Sequence, residues 1–200
     1  MAAAAGGGGG EALRSYDVFW GEMAACDHVV QIYEHDDGML QALEGFVAGG
    51  LETGSAIVIA TPGHRDALDA RLRKRGIDVG SARAEDRYIA LDAERTLGQF
   101  MVHGWPDEDR FRDLVGDLIS RARGPGRTVR AFGEMVALLW ASGHQAATVR
   151  LEHLWNQLCD RRQFSLFCSY PKTGFTQDAA RSISDICCLH SRVVPDAGVS

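Results

Sequence analysis

Short apolar runs alternate with amphipathic stretches along most of the chain. Residues 56–60 (Ala-Ile-Val-Ile-Ala) form a continuous apolar run rich in β-branched side chains, which is typical of a strand covered on both faces. Four further stretches have the composition of strands, at 28–33, 87–91, 128–132 and 164–170. Between them, apolar residues recur at helical spacing, as in Met39, Leu40, Leu43, Phe46 and Val47. The pattern predicts alternating strands and helices.

This alternation predicts an α/β domain with a mostly parallel sheet and helices on both faces. We expect residues 56–60 to form the central strand of this three-layer arrangement. Residues 1–15 begin with runs of alanine and glycine that have little to bury, and they are predicted to be disordered. A single folded domain is then expected over residues 16–192, with a flexible tail at 193–200.

The turn after the apolar run has the shape of a phosphate-binding loop without its chemistry. Residues 61–63 (Thr-Pro-Gly) join a predicted strand to a predicted helix, the arrangement in which backbone N–H groups hold phosphate. A phosphate loop also needs a lysine followed by serine or threonine, whereas this turn continues with His64, Arg65 and Asp66. We place Asp66 in the first helical turn, where its charge competes with phosphate for the helix dipole. The sequence predicts a degenerate phosphate loop and no hydrolysis of ATP or GTP.

Polar and aromatic residues occur where the predicted strands end. In open parallel sheets, ligands bind outside the carboxyl ends of the strands. This rule predicts a crevice for a small, mostly apolar ligand, lined by Tyr33, His64, His103, Trp105 and Glu134. Three of these residues could instead have a purely structural role. His64 would then be an exposed turn residue, Trp105 would pack against the start of the next helix, and Glu134 would accept backbone hydrogen bonds.

Composition and charge narrow the function classes. The net charge of −6, with no basic cluster beyond residues 71–75, argues against direct nucleic-acid binding. The five cysteines lack paired CxxC spacing and no His-x-x-x-His pair occurs, so neither a disulfide framework nor a metal site is predicted. No apolar run approaches the length of a membrane span and no export signal is recognisable. We therefore expect a cytoplasmic protein that does not bind membranes.

Five short motifs occur in an order that resembles one known family. They are 28–34 (His-Val-Val-Gln-Ile-Tyr-Glu), 46–55, 129–135 (Val-Arg-Ala-Phe-Gly-Glu-Met), 151–156 and 166–171. Together they resemble the MEDS family, the sensory domain named for methanogens, methylotrophs and the DcmR regulator, over residues 28–190. The resemblance implies a fold similar to RecA/KaiC-type ATPase cores with an eroded phosphate loop. It also implies sensing of small molecules, such as simple hydrocarbon derivatives, in bacterial and archaeal signalling, where many members are joined to a DNA-binding or kinase domain.

These observations favour a non-catalytic sensory or regulatory domain that binds a small-molecule ligand and uses no cofactor. Cys168 and Ser169 lie near a predicted strand end, but no G-x-S-x-G elbow surrounds them, so no catalytic residue is assigned. Two alternatives stay open. One is a divergent RecA-like nucleotide hydrolase that uses Glu134. The other is an interaction module that recognises a signalling protein of the kinase or anti-sigma type without a small ligand; self-association into a homo-oligomer is also left open.

Overall fold

A sheet of six parallel strands runs through the part of the chain that the computed structural model describes, residues 20–21, 23–175 and 179–194. Its strands are β1 (His28–Tyr33), β2 (Gly54–Ala60), β3 (Tyr88–Asp92), β6 (Thr128–Gly133), β7 (Ser165–Pro171) and β8 (Arg192–Val194). A separate antiparallel hairpin consists of β4 (Met101–Val102) and β5 (Trp105–Pro106). The order across the sheet is β3-β2-β6-β7-β1-β8.

The predicted parallel α/β fold is confirmed, with one correction to the position of β2. This strand pairs with β3 on one side and β6 on the other, and all of its residues are buried. It is an interior strand, but the middle of the sheet lies between β6 and β7. Apolar composition could not separate these strands, because β7 is also buried along nearly its whole length.

The helices connect the strands and cover both faces of the sheet. They are α1 (Asp36–Thr53), α2 (Pro62–Lys74), α3 (Val79–Ala84), α4 (Ala93–Phe100), α5 (Glu108–Arg123), α6 (Met135–Ala141), α7 (Gln145–Arg162) and α8 (Ala179–Cys187), with a 3-10 turn at Lys172–Gly174. The break between α6 and α7 falls at Gly143, whose φ of 77° lies in the region that favours glycine. Aspartate side chains cap α3, α4 and α5 by accepting backbone N–H bonds.

Successive strand residues point to opposite faces of the sheet, which gives the domain two apolar layers. On β7, Leu166, Cys168 and Tyr170 pack in the layer under α4 to α7, which we call the α7 face. Phe167 points the other way and contacts the rings of Trp20 and Phe46 in the layer under α1 to α3, which we call the α1 face.

The structure describes only part of the two regions in which the domain boundaries were predicted. The stretch 1–15, predicted to be disordered, lies outside the described residues, as do 195–200. Val193 and Val194, expected in the flexible tail, belong to β8, which pairs in parallel with β1. Val194 is buried against the α1 face, so its apolar contact and the strand pairing extend the fold beyond the predicted boundary. None of the described helices is long and apolar enough to cross a membrane.

Candidate functional site

Glu134 and Thr61 meet at the carboxyl edge of the sheet because their strands are neighbours. In the β2–β6 pair, Ile59 lies opposite Gly133. The Glu134 N–H then donates to the Ile59 carbonyl at 2.9 Å. Thr61 is the residue before α2, and Glu134 is the residue before α6. Two helices therefore begin side by side at this edge.

The Glu134 carboxylate lies at the start of α2, where a phosphate would bind in a phosphate loop. Its Oε2 accepts a hydrogen bond from the Thr61 N–H at 2.7 Å, and its Oε1 lies 2.8 Å from His64 Nδ1. The prediction that Asp66 charges the first helical turn is wrong, because α2 begins at Pro62 and its first turn carries no acidic residue. The negative charge comes from Glu134 on another strand, and the positive end of the α2 dipole favours it there.

His64 lies between two carboxylates. Its Nδ1 contacts Glu134, and its Nε2 is 3.5 Å from Asp36 Oδ2. The hydrogen bond to Glu134 raises the pKa of His64; partial burial opposes this effect, and the charges of Glu134 and Asp36 add to it. The geometry therefore favours a protonated His64 that donates from both ring nitrogens.

Tyr33 completes this group at the end of β1. Its side chain is buried, and burial together with the charges of Glu134 and Asp36 raises the pKa of its phenol. The phenol thus remains protonated at neutral pH and can donate a hydrogen bond. The structure brings together three of the five predicted site residues, Tyr33, His64 and Glu134. We call them, with Asp36 and Thr61, the edge site.

His103 and Trp105 are not brought to the edge site. His103 lies at the tip of the β4–β5 hairpin with φ 51°, and the side chains of both residues are exposed. The hairpin follows α4 and lies beside α7, in the helix layer of the α7 face, whereas α1 and α2 cover the other face. Among the described residues, no hydrogen bond, ion pair or ring contact joins the hairpin to the edge site. The hairpin is separated from the edge site because α4 lies between the end of β3 and the start of β4.

A cavity of about 260 Å³ lies at the opposite end of the sheet. Its lining includes Leu51 and Glu52 before β2, and Arg87 before β3, which places it at the amino ends of these strands. Arg87 donates to the backbone carbonyls of Leu51 and Gly54. This arginine therefore has a structural role between two loops.

A second group of polar side chains lies inside the domain on the α7 face. It comprises His28 at the start of β1, Glu152 on α7, Cys168 on β7 and His190 between α8 and β8. We call these four residues the buried cluster. His28 and Glu152 both point into the interior and are buried.

The charges of the buried cluster depend on one another. Burial alone would raise the pKa of Glu152, but the facing imidazoles of His190 and His28 lower it overall. Burial, followed by the charge of Glu152, raises the pKa of Cys168 and of Tyr170 well above their ordinary values. Tyr170 donates its hydroxyl hydrogen to Glu152 Oε1. Motif spacing missed this cluster because its members come from separate segments. The available signal in the sequence was the presence of polar residues at strand positions whose neighbours on the same face are apolar.

The fold and the edge site together define a class of protein. It is an α/β domain with an open parallel sheet, in which the strand–turn–helix junction of β2 and α2 is held by the protein's own carboxylate. The chain belongs to the MEDS family, described as "MEthanogen/methylotroph, DcmR Sensory domain", whose sequence model matches residues 27–191. The resemblance carried by the five motifs is thereby confirmed.

A solved structure from Pyrococcus horikoshii OT3, described as "Structural study of Project ID PH0250", has a similar fold. The two chains are 10% identical with a TM-score of 0.62, and the match covers 92% of this chain and 89% of that chain. At this identity the similarity shows the fold alone. Among curated protein sequences, none matches this chain. The family description gives the chain a sensory role at the level of the family, without naming a ligand.

Proposed function

We propose that this chain is a non-catalytic sensory domain that binds a small molecule at the edge site and acts on a signalling partner. The observation that carries the proposal is the Glu134 carboxylate, which joins Thr61 and His64 at the start of α2. In open parallel sheets, ligands bind at the carboxyl edge, and the edge site lies there. The family description as a sensory domain supports the same conclusion.

The charges of the edge site favour a neutral or cationic ligand with a hydrogen-bond donor. Glu134 and Asp36 present carboxylate oxygens, and the Asp36 side chain is 69% exposed, which leaves it accessible to a ligand. A phosphate would face both carboxylates at close range, and like charges within a few ångströms repel. Small alcohols and amines meet these requirements and agree with the expected class of simple hydrocarbon derivatives.

A nucleotide hydrolase that uses Glu134 is the second candidate, because the strand–turn–helix frame of such enzymes is present. Two features oppose it. Residues 61–66 supply no lysine for the β- and γ-phosphates, and the Glu134 carboxylate already binds Thr61 and His64. We expect phosphate release from ATP or GTP to stay at the level of the protein-free control. Steady release that disappears in Glu134→Gln would establish the hydrolase instead.

Ligand capture and titration test the sensory proposal. Small molecules that co-purify with the full chain are identified by mass spectrometry, and short alcohols and amines are then titrated while thermal unfolding is followed. We expect His64→Gln to weaken binding roughly tenfold to a hundredfold, because a lost charged hydrogen bond costs about 1.5–3 kcal/mol. His153→Gln is the matched control, since His153 is an exposed histidine on α7.

Two outcomes contradict the proposal. If His64→Gln and the control bind the ligand equally well, the ligand site lies elsewhere in the domain. If no small molecule binds and a kinase or anti-sigma factor binds the unliganded chain, the domain is a protein-interaction module.

A further inference from the structure

The four side chains of the buried cluster converge on one centre. One candidate ligand atom from each lies within 4.8 Å of the other three. His28 Nε2 is 3.3 Å from Glu152 Oε2 and 3.3 Å from Cys168 Sγ. Cys168 Sγ is 3.7 Å from Glu152 Oε2, and His190 Nε2 is 3.5 Å from Glu152 Oε1. The side chains of Glu152 and His190 have no solvent exposure, and that of His28 is 3% exposed.

The three separations among His28 Nε2, Cys168 Sγ and Glu152 Oε2 match the edges of a zinc tetrahedron, and His190 Nε2 approaches the same carboxylate through its other oxygen, Oε1. With bonds of about 2.0–2.3 Å, tetrahedral Zn²⁺ holds its ligand atoms about 3.3–3.8 Å apart. Imidazole nitrogen, thiolate sulfur and carboxylate oxygen are the ligand types that Zn²⁺ takes in proteins. The cluster supplies all three types, with three ligand atoms at the required spacing and the His190 Nε2 atom within 4.8 Å of them.

Hydrogen bonds at the far side of each imidazole set the tautomers. Asn156 donates its amide N–H to the Leu189 carbonyl at 3.0 Å, so its Oδ1 faces His28 Nδ1 at 2.8 Å as an acceptor. His190 Nδ1 lies 2.7 Å from the Ile186 carbonyl, which can only accept. Both histidines therefore carry hydrogen on Nδ1, and in their neutral forms both Nε2 lone pairs point to the centre. Metal-binding histidines are oriented in this way by their outer nitrogen.

Tyr170 and Cys168 donate hydrogen bonds to the Glu152 carboxylate, but one acceptor of the centre has no donor among the described residues. His190 Nε2 makes no hydrogen bond within the described part of the chain. The two imidazole rings are 4.0 Å apart, and two charged imidazolium rings at that distance would repel. A buried carboxylate also needs a compensating positive charge. One Zn²⁺ bound to a thiolate, a carboxylate and two neutral imidazoles has no net charge, which suits a buried centre.

We propose that His28, Glu152, Cys168 and His190 form a tetrahedral Zn²⁺ site. On binding, Cys168 releases its thiol proton to solvent and forms the sulfur–zinc bond, while the imidazoles and Glu152 donate lone pairs. All four positions are filled by protein side chains, so the site is structural. The ligands come from β1, α7, β7 and the segment before β8, and the ion therefore ties the last strand to the body of the sheet.

The zinc content and ligand set of the wild-type chain provide the first test. The full chain, produced with zinc in the medium and purified without chelators, should contain about one zinc per chain by elemental mass spectrometry. X-ray absorption at the zinc edge should show about one sulfur at ~2.3 Å and about three nitrogen or oxygen ligands at ~2.0–2.1 Å. Replacement of zinc by Co²⁺ should give the absorption of a tetrahedral thiolate complex.

Matched variants locate the ion in the chain. Cys168→Ser should abolish the thiolate–cobalt absorption, whereas Cys188→Ser should keep it, since Cys188 is exposed and outside the cluster. His190→Gln should lower zinc affinity by at least roughly tenfold, while the exposed His153→Gln should not. Asn156→Leu, which removes the acceptor on His28, should weaken zinc binding roughly tenfold to a hundredfold without removing a ligand.

The wild-type measurements decide the question even if a variant fails to fold. A wild-type chain without zinc that also gives no thiolate–cobalt absorption would overturn the proposal, and the cluster would then be a buried proton-sharing network. Zinc bound through nitrogen and oxygen alone, or retained fully in Cys168→Ser, would place the metal at another site and equally contradict the assignment.

Discussion

Two glutamates of this domain each face imidazole, but their surroundings stabilise the charge differently. Glu134 of the edge site accepts hydrogen bonds from a backbone N–H and from one histidine, and its neighbour Asp36 lies largely in water. Glu152 of the buried cluster is fully enclosed and faces two histidines. A helix terminus and one partly buried histidine support the first carboxylate, whereas the second, between two histidines, needs a cation within the protein. A similar pairing thus produces an accessible site in one place and a closed centre in another.

This difference determines how each region should respond to substitution. A partly exposed group that loses a partner can turn to water, so the cost is modest. A buried group that loses its partner has no such replacement. We therefore expect the largest effects in the buried cluster, smaller effects in the edge site, and the smallest in the exposed hairpin.

Replacing Glu152 by glutamine should cause the largest loss of stability. The change removes the negative charge that faces His28 and His190 but keeps an acceptor for the Tyr170 hydroxyl. Breaking a buried ion pair on one side costs about 3–5 kcal/mol. The free energy of unfolding, measured in urea by circular dichroism, should fall by this amount, with His153→Gln as the control. A loss below about 1 kcal/mol, the range of surface pairs, would refute the comparison.

Replacing Glu134 by glutamine should destabilise the domain by a smaller amount, about 1.5–3 kcal/mol. The neutral amide loses the charged hydrogen bonds to Thr61 N–H and His64, but its oxygen can still accept one of them. From the sequence, the role of Glu134 was open between a ligand contact and an acceptor for backbone hydrogen bonds. Its burial, at 5% exposure, and its bond to the turn after β2 make it part of the fold. Urea unfolding of both glutamate variants under one condition tests the ranking. A larger loss in Glu134→Gln than in Glu152→Gln would reverse it.

Patterns local in sequence predicted the frame of the domain and part of the edge site. Apolar runs marked β1, β2, β3, β6 and β7, because buried strands exclude polar side chains over several consecutive residues. The strand-end rule then selected Tyr33, His64 and Glu134. The register of β2 and β6 brings Glu134 to His64, and Tyr33 approaches them from the end of β1. The missing lysine in the turn left backbone or ligand hydrogen bonding open for Glu134, and the structure shows its bond to the Thr61 N–H.

Features that depend on distant contacts could not be predicted in this way. From the sequence, Asp66 was predicted to place the negative charge at the start of α2, because local patterns reveal only residues that are close in the chain. The carboxylate that lies there belongs to Glu134, which is 73 residues from Thr61. The buried cluster joins residues from distant parts of the chain, from His28 on the first strand to His190 just before the last one. Sequence motifs for metal sites detect ligands that lie a few residues apart on one helix or loop. The side chains of this cluster come from separate segments and are not spaced in that way.

The edge site should make stability depend on pH through His64. Its folded pKa is raised mainly by the bond to Glu134, so its contribution to stability is fully present below the unfolded value of about 6.5 and is lost as pH rises through the folded value. The stability difference between wild type and His64→Gln should therefore be largest near pH ~6 and shrink by pH ~9. At its maximum we expect about 0.5–1.5 kcal/mol, the value of one hydrogen bond.

The control for this prediction is His103→Gln, in which an exposed histidine is removed. Its difference from wild type should stay flat over the same pH range. A difference for His64→Gln that grows with pH would mean that His64 is held neutral, and the assignment of an imidazolium between Glu134 and Asp36 would be wrong.

Substitutions in the hairpin should have the smallest effect and mark the limit of the edge site. His103→Ala and Trp105→Ala remove side chains that are exposed, 47% in the case of Trp105. Away from buried contacts, such changes alter stability by about 0.5 kcal/mol or less in either direction. Ligand affinity should also be unchanged, because the hairpin lies in the helix layer of the α7 face. Titration of each variant with the co-purified ligand, beside His64→Gln, measures this directly. Tenfold weaker binding in Trp105→Ala with an unchanged fold would show that the hairpin closes over the ligand, and the site would then include all five residues first predicted at the rim.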